Sequence, residues 1–262
     1  MSEFQQYQFQ TIDRPLTEAE RQEVSSWSSR ATASATSITF TYSYSDFPKD
    51  EDKVVAKYFD AMLYVANWGT KRLMFRFPKS LIDENAITEY SIYPEYAESY
   101  LTFSDSGEFL IMDMALNDDD GGGWMEEDDY RLSDFIPLRE QIINGDYRCL
   151  IMAWLKVAQE DVEMEKDEYE EEEYEENPLP PIPSGLKKLN GPLTAFQNFF
   201  EIDDDILEDV VKKSPNLSTK KMDYTNLLAK LSVKEKDDFL LRLIDGEARL
   251  DIKLKKLLEK LG

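Results

Sequence analysis

The sequence predicts an α+β protein with an N-terminal mixed or antiparallel sheet and helices, an acidic disordered linker, and a small all-α C-terminal bundle. Three observations lead to this prediction. Apolar patterns of period two and of period 3.6 alternate over the first part of the chain. One later segment is almost entirely acidic and is followed by prolines. Beyond it the apolar pattern is helical. The predicted parts are residues 1–158, 159–185 and 186–262.

The clearest unit of the N-terminal part is residues 54–78, VVAKYFDAMLYVANWGTKRLMFRFP. Its apolar residues recur at spacings of three and four over 55–66, which predicts one helix, and the carboxylates at 50–52 mark the expected start of that helix. Gly69 suits a left-handed position after that helix. Apolar and basic residues alternate over 72–77, which predicts a strand, and Pro78 ends it because it cannot donate to the ladder.

Asn67 and Trp68 fall at the corner of this unit. One interpretation makes them a binding corner. The interpretation that we favour makes Asn67 a turn or capping group and Trp68 part of the core.

The elements before this unit are two strands and one helix. Alternating apolar residues predict strands over 7–11 and 37–44. Thr17 and Glu20 have the spacing of a capping box, so we expect a helix from about 18 to 26.

A hairpin and two helices are predicted after the unit. Strand-like runs at 100–103 and 108–114 are joined by Ser-Asp-Ser-Gly at 104–107, which is typical of a hairpin turn. Apolar periodicity then predicts helices over 135–144 and 147–158.

The first part of the predicted linker is mostly acidic, and the second part is rich in proline. Residues 159–177 contain twelve Asp or Glu and one Lys, and 178–185 read PLPPIPSG, which is typical of an extended spacer. Tyr169 and Tyr174 lie among the glutamates. The tract is either a charged tether, a segment that binds a partner through its rings, or an imitation of a nucleic acid backbone. Composition supports all three.

The C-terminal part predicts a series of amphipathic helices, one of which opens with the capping-box pair Ser232 and Glu235.

The residue types that are missing exclude several chemistries. The chain has no histidine and a single cysteine, Cys149, which lies in an apolar run and is expected to be a small buried residue. Nucleophiles activated by histidine, histidine-based metal sites and zinc sites built on several thiolates are therefore excluded. A glycine run at 121–123 follows three aspartates, which would repel a phosphate.

An acidic glycine loop is the one candidate metal site. Its carboxylates could bind Ca²⁺ or Mg²⁺ through oxygen, although their spacing is not that of an EF-hand. We favour a solvated acidic loop without a cofactor over this interpretation. The candidate ligands are Asp118, Asp119, Asp120, Glu126, Glu127, Asp128 and Asp129.

Asp60 and Asp113 are the acids in the most apolar surroundings. A buried pair of acids could transfer protons. We favour a structural interpretation, in which each faces water or pairs with Arg72 or Arg76.

Residues 7–31 (YQFQTIDRPLTEAERQEVSSWSSRA) and 58–78, together with the C-terminal stretches NGPLTAFQNFFEIDDDILEDVV and LSVKEKDDFLLRLIDGE, resemble an uncharacterised bacterial family of acidic proteins. The resemblance implies a bacterial cytosolic origin. It implies no fold, activity or site residue.

The charge distribution indicates the kind of partner. The net charge is −24 and lies in the N-terminal part and the linker, so the chain should repel nucleic acid and anionic membranes. Residues 1–10 have neither the basic start nor the apolar run of a secretory signal, so we expect a cytoplasmic protein.

The leading functional hypothesis is a non-enzymatic protein–protein interaction module, an accessory or regulatory subunit that binds a basic partner through an acidic surface. One alternative is a divalent-metal enzyme that uses only carboxylates. The other is a nucleic acid mimic that inhibits a DNA-binding protein.

Overall fold

In the computed structural model, which describes residues 4–43, 45–94, 98–117, 131–168, 177–217 and 223–261, six strands form one antiparallel sheet with the order β2-β1-β3-β4-β6-β5. The strands are β1 (Gln5–Gln10), β2 (Ser37–Tyr42), β3 (Ala61–Ala66), β4 (Lys71–Pro78), β5 (Tyr100–Ser106) and β6 (Phe109–Leu116).

Ten α-helices accompany the sheet in the described part of the chain, and a short 3₁₀ turn follows β4. The predicted α+β class is confirmed, including the helical C-terminal region. The helices are α1 (Glu18–Ser25), α2 (Glu51–Tyr58), α3 (Glu84–Thr88), α4 (Leu132–Ile143), α5 (Arg148–Glu168), α6 (Gly191–Phe199), α7 (Asp204–Lys213), α8 (Tyr224–Lys230), α9 (Val233–Ile244) and α10 (Leu250–Glu259).

The predicted start of the long helix is confirmed, since Asp50 caps α2, but its continuation to Ala66 is wrong. Helix α2 ends at Tyr58, Phe59 takes an extended conformation, and β3 begins at Ala61. Strand β3 lies between β1 and β4, and five of its six residues are buried. A strand buried on both faces reads as a continuous apolar run, and periodicity alone cannot distinguish such a run from a buried helix.

Gly69 has a positive φ of 107°, as the sequence predicted, but the structural element around it differs from the prediction. It lies in the turn between β3 and β4, not at the end of a helix, because β3 replaces the second half of the predicted helix. The predicted strand over 72–77 is confirmed as β4.

Local sequence signals at the ends of elements are confirmed. Thr17 and Glu20 form a capping box at α1, and Ser232 and Glu235 form one at α9. The β5–β6 hairpin is confirmed, but β5 continues to Ser106, so only Gly107 of the predicted turn at 104–107 lies in the turn. Gly107 has a φ of 67° and its N–H donates to Asp105 Oδ1 at 3.0 Å. Short polar groups at these positions bond to the local backbone whatever the rest of the fold does.

Different helices pack against the sheet on its two faces. Helix α2 packs on β4 and β6 over one face, and α4 and α5 contact β1, β3 and β5. Aromatic rings fill much of the core under α2. Its largest buried members are Tyr7, Phe9, Phe40, Phe47, Tyr58 and Phe59.

The described contacts divide the chain into residues 1–216 and 217–262, not at the boundary that we predicted over 159–185. Helix α5 continues to Glu168, beyond the predicted end of its domain. Helices α6 and α7 belong to the first unit, and Phe199 of α6 packs against Phe135 of α4 with ring centroids 4.9 Å apart.

The proline-rich segment that we expected to be a spacer is bound to the first unit. Tyr90 donates its hydroxyl to Pro181 O at 2.7 Å, Ser214 donates to Pro183 O at 2.8 Å, and Arg148 donates to Gly185 O at 3.1 Å. These bonds hold the segment at three points, so it acts as part of the fold of residues 1–216.

Candidate functional site

The structure describes only part of the predicted candidate set. The acidic residues Asp118, Asp119, Asp120, Glu126, Glu127, Asp128 and Asp129, and the linker residues Tyr169 and Tyr174, lie outside the described residues. Among the residues that are described, no group of three or more acids or cysteines is placed to hold a metal ion. The metal site and the tyrosine tract stay predictions.

Asn67 and Trp68 occupy the turn between β3 and β4. Asn67 accepts a hydrogen bond from Phe4 N on its Oδ1 at 3.0 Å and donates its own N–H to Phe4 O at 3.0 Å. It therefore acts as a turn group that fixes the start of the first strand. Trp68 is 44% exposed, so the expectation that it belongs to the core is wrong.

A buried cluster of two acids and two arginines lies where the ends of β1, β3 and β4 meet. Asp60 is fully buried and accepts from the backbone N–H groups of Ile12 and Asp13 at 2.6 and 2.9 Å. Its other oxygen accepts from Arg76 Nη2 at 2.7 Å. Arg139 of α4 donates to both carboxylate oxygens of Asp13, at 3.0 and 2.6 Å. We call these four charged residues the Asp60 network.

The remaining donors of the Asp60 network bond to the backbone. Arg139 Nε donates to Arg76 O at 2.8 Å, and Arg76 Nη1 donates to Ala56 O of α2 at 2.8 Å. Burial raises the pKa of the Asp60 carboxyl, but Arg139, Arg76 and the two N–H donors lower it, and the net pKa lies below its ordinary value. A carboxylate held in this way is ionised and fully bonded, which suits a structural anchor and not a proton donor.

The structural interpretation of both acids is confirmed, and of its alternatives the structure shows ion pairing: Asp60 pairs with Arg76 and Asp113 pairs with Arg72. Arg139 was missed. Its signal in the sequence is a single arginine among the apolar residues of α4, where it shares a face with Phe135 and Ile142. A lone cation on such a face requires a buried acid as a partner.

Three carboxylates surround Arg72 at the first turn of α2 and on β6, and we call this group the Arg72 cluster. Arg72 donates Nε and Nη2 to the two oxygens of Asp113 at 2.8 and 2.7 Å. It also donates to Asp52 at 2.9 Å and lies 3.6 Å from Glu51. Tyr100 donates its hydroxyl to Asp113 at 3.1 Å.

The acids of the Arg72 cluster outnumber its single cation. Burial raises the pKa of Asp52, and the carboxylates of Asp113 and Asp50 raise it further against the opposing effect of Arg72. Burial also raises the pKa of Glu51. Because Asp52 is 58% exposed while Asp113 and Arg72 are mostly buried, the Asp52 carboxylate is the part of the cluster that a partner could reach. A further cation at this place would relieve the repulsion.

A polar cleft of about 330 Å³ lies next to the β3–β4 turn, which contributes Gly69 to its wall. Lys71 is almost buried there, and its amine donates to Glu201 at 2.9 Å. Lys156 pairs with Glu160 at 3.2 Å on another wall. The two cations that line the cleft are thus already paired within the chain.

Glu201 takes a left-handed conformation with a φ of 52° directly after α6. The N–H of Ile202 donates to Gln197 O, and the N–H of Glu201 donates to Asn198 O, which is the Schellman arrangement. Glycine is usual at this position because a Cβ costs about 1–2 kcal/mol there. The ion pair with Lys71 gives a physical reason for glutamate.

Cys149 is buried in α5, and burial raises the pKa of its thiol. This agrees with its expected role as a small buried residue, since a thiolate is the reactive form of cysteine.

Comparison with protein-family models, with curated proteins and with solved structures finds no match for the chain. Of the helices in the described ranges, none combines the length and the apolar character that crossing a bilayer requires.

We expect Asp60→Asn to lower the free energy of unfolding by about 3–5 kcal/mol, the usual cost of removing one partner from a buried ion pair. The amide keeps the shape, but its NH₂ group faces either two backbone N–H donors or two arginines. Urea unfolding followed by circular dichroism measures the loss. Asp209→Asn is the control, since that side chain is 83% exposed and its loss should cost below about 0.5 kcal/mol. A cost at Asp60 as small as that of the control would contradict the anchor role.

Glu201→Gly should have opposite effects in two backgrounds. In Lys71→Met protein, glycine removes the backbone strain and should raise stability by about 1 kcal/mol. In wild-type protein the same change also leaves a buried ammonium without its carboxylate, which costs about 1–3 kcal/mol. A double-mutant cycle measured by denaturant unfolding should give a coupling energy above about 1 kcal/mol. Equal stabilisation in both backgrounds would show that the ion pair does not explain the glutamate.

Proposed function

We propose that the protein is a non-enzymatic interaction module whose first unit binds a basic partner protein through the Arg72 cluster. The observation that carries the proposal is the excess of carboxylate over cation in that cluster. Glu51, Asp52 and Asp113 share one guanidinium, and the pKa of Asp52 is raised in spite of it. A lysine or arginine from a partner would lower the electrostatic free energy of these acids.

The charge of the whole unit supports the same kind of partner. Residues 1–216 carry 46 acidic and 19 basic side chains, a net of −27, and residues 217–262 carry 8 and 11, a net of +3. A field of this size steers a basic protein towards the unit and repels nucleic acids and other acidic surfaces.

An exposed aromatic side chain next to the Arg72 cluster supports binding to protein. Tyr93 is 76% exposed, and its ring lies 5.8 Å from that of Tyr100, the residue that donates to Asp113. Tyrosine is enriched at protein interfaces because it buries a large ring and keeps a polar tip. The combination of acids with an exposed tyrosine fits a partner surface that presents lysine or arginine near apolar groups.

Neutralising the Arg72 cluster should weaken the complex. We expect Glu51→Gln with Asp52→Asn to reduce affinity for the partner by about 1–2 kcal/mol, or about tenfold, because two carboxylates are lost while Asp50 still caps α2. The partner is first recovered with tagged wild-type protein from the native host, then purified, and its Kd is measured at several salt concentrations. The wild-type affinity should fall steeply with salt.

Glu208→Gln with Asp209→Asn is the matched control, since these are also adjacent acids on a helix and are 65% and 83% exposed. It removes the same charge elsewhere on the unit and should leave the Kd within about twofold of wild type. Equal affinity of the cluster variant and this control would reject the cluster as the binding site. Substrate turnover that stops when Asp52 alone is replaced would overturn the non-enzymatic function.

A further inference from the structure

Helix α9 in the second unit presents its apolar side chains to solvent. None of its twelve residues, all of which the structure describes, is buried. Five apolar side chains of this helix are between 57% and 80% exposed: Val233, Leu240, Leu241, Leu243 and Ile244. A twelve-residue helix is marginally stable in water without packing. Apolar side chains exposed in this number are therefore typical of a surface that binds another protein.

An apolar groove runs beside this exposed side. It has a volume of about 460 Å³ and lies between α9, α10 and the end of α8. Leucines and Phe239 form its walls, and the only charged residues along it are Lys236 and Asp251. The packed centre of the unit is small and is built on Leu227, Leu231 and Leu258. The groove therefore extends that centre towards solvent and is suited to receive another helix.

The exposed face of α9 is self-complementary. Val233, Lys236, Asp237, Leu240 and Ile244 follow the spacing of one helical face. Lys236 and Asp237 stand at its centre as a basic and an acidic neighbour. A two-fold axis between them, with two α9 helices antiparallel, sets Lys236 of each copy opposite Asp237 of the other. The same axis sets Val233 opposite Leu240 twice.

Some charged side chains of α9 are paired within the chain and others are not. Away from the exposed face, Glu235 closes the capping box with Ser232, and Arg242 pairs with Asp238 and Glu247. On the exposed face, and within the described residues, the side chains of Lys236 and Asp237 make no ion pair or hydrogen bond. Lys234, on another side of α9, also makes no ion pair within the described residues, so the match with a second copy depends on where Lys236 and Asp237 lie on the exposed face.

We propose that the protein forms a two-fold dimer through antiparallel contact of α9 with α9 of a second copy, with the apolar groove covered in the process. The unit that carries α9 has a net charge of only +3, so the large negative charge of the chain lies in the other unit. At physiological ionic strength, repulsion between the acidic parts of two copies is screened over about 8 Å. The dimer would present two copies of the first unit to a partner, and it does not depend on what that unit binds.

Charge reversal tests the dimer directly. Sedimentation equilibrium of the full chain at about 0.15 M salt should give twice the chain mass of 30.5 kDa. Lys236→Glu should raise the dimer Kd about tenfold or more, because each of two ion pairs becomes a repulsion, and Asp237→Lys should do the same. The double variant Lys236→Glu with Asp237→Lys exchanges the charges and should return the Kd to within about threefold of wild type.

Two further variants complete the test. Lys234→Glu makes the same charge change on another side of α9 and should leave the Kd within about twofold of wild type. Leu240→Asp should give a monomer with unchanged helix content by circular dichroism, since that side chain is 57% exposed within the chain. A wild-type chain that remains monomeric up to about 100 μM overturns the proposal, since the Kd of the dimer would then be weaker than that concentration. A dimer that both single reversals leave intact, or that the double variant fails to restore, overturns the α9 contact.

Discussion

A single buried carboxylate, that of Asp60, joins several elements of the first unit. Asp60 lies in the short connection between α2 and β3. Its side chain accepts hydrogen bonds from the loop after β1 and from β4. Arg139 joins α4 to the same place through Asp13 and through Arg76 O. Because every one of these groups would be costly to bury without its partner, the network specifies one arrangement of the elements around it.

The proposed binding surface depends on this network through α2. Arg76 donates to Asp60 with one side of its guanidinium and to Ala56 O with the other, which fixes α2 against β4. The first turn of the same helix carries Glu51 and Asp52 towards Arg72, which is also on β4. The acids that would meet a basic partner are thus held on a rigid scaffold and not on a loop, as a preorganised site requires.

The signals that could be interpreted from sequence were local. Capping boxes, the Gly107 turn and alternation in β4 were predicted because each depends on neighbouring residues. The helix predicted to continue to Ala66 was wrong beyond Tyr58 because burial of β3 between two strands overrides periodicity. The boundary at 159–185 misplaced α6 and α7, since nothing local in the acidic and proline-rich composition reports that Phe199 packs on Phe135.

The residues of the candidate site could also be predicted only where their partners lie close in the sequence. Arg72 and Arg76 could be named as possible partners of Asp60 and Asp113 because the sequence offered few arginines near them, but the sequence did not show which arginine pairs with which acid. Arg139 with Asp13 and Lys71 with Glu201 are 126 and 130 residues apart, and one sequence gives no means of matching such partners. The left-handed position of Glu201 is equally invisible, since a glutamate after a helix does not indicate a positive φ.

The most direct measurement of the central claim is the titration of the Asp60 carboxyl, followed by the ¹³C shift of its side chain in labelled protein. Its pKa is lowered in the folded state, so its contribution to stability is present above the ordinary aspartate pKa and is lost as the pH falls through the lower, folded value. We predict a midpoint below that of an ordinary aspartate, with protonation accompanied by loss of the fold. A midpoint at or above the ordinary value, in protein that stays folded, would contradict the role of Asp60 as the ionised centre of the network.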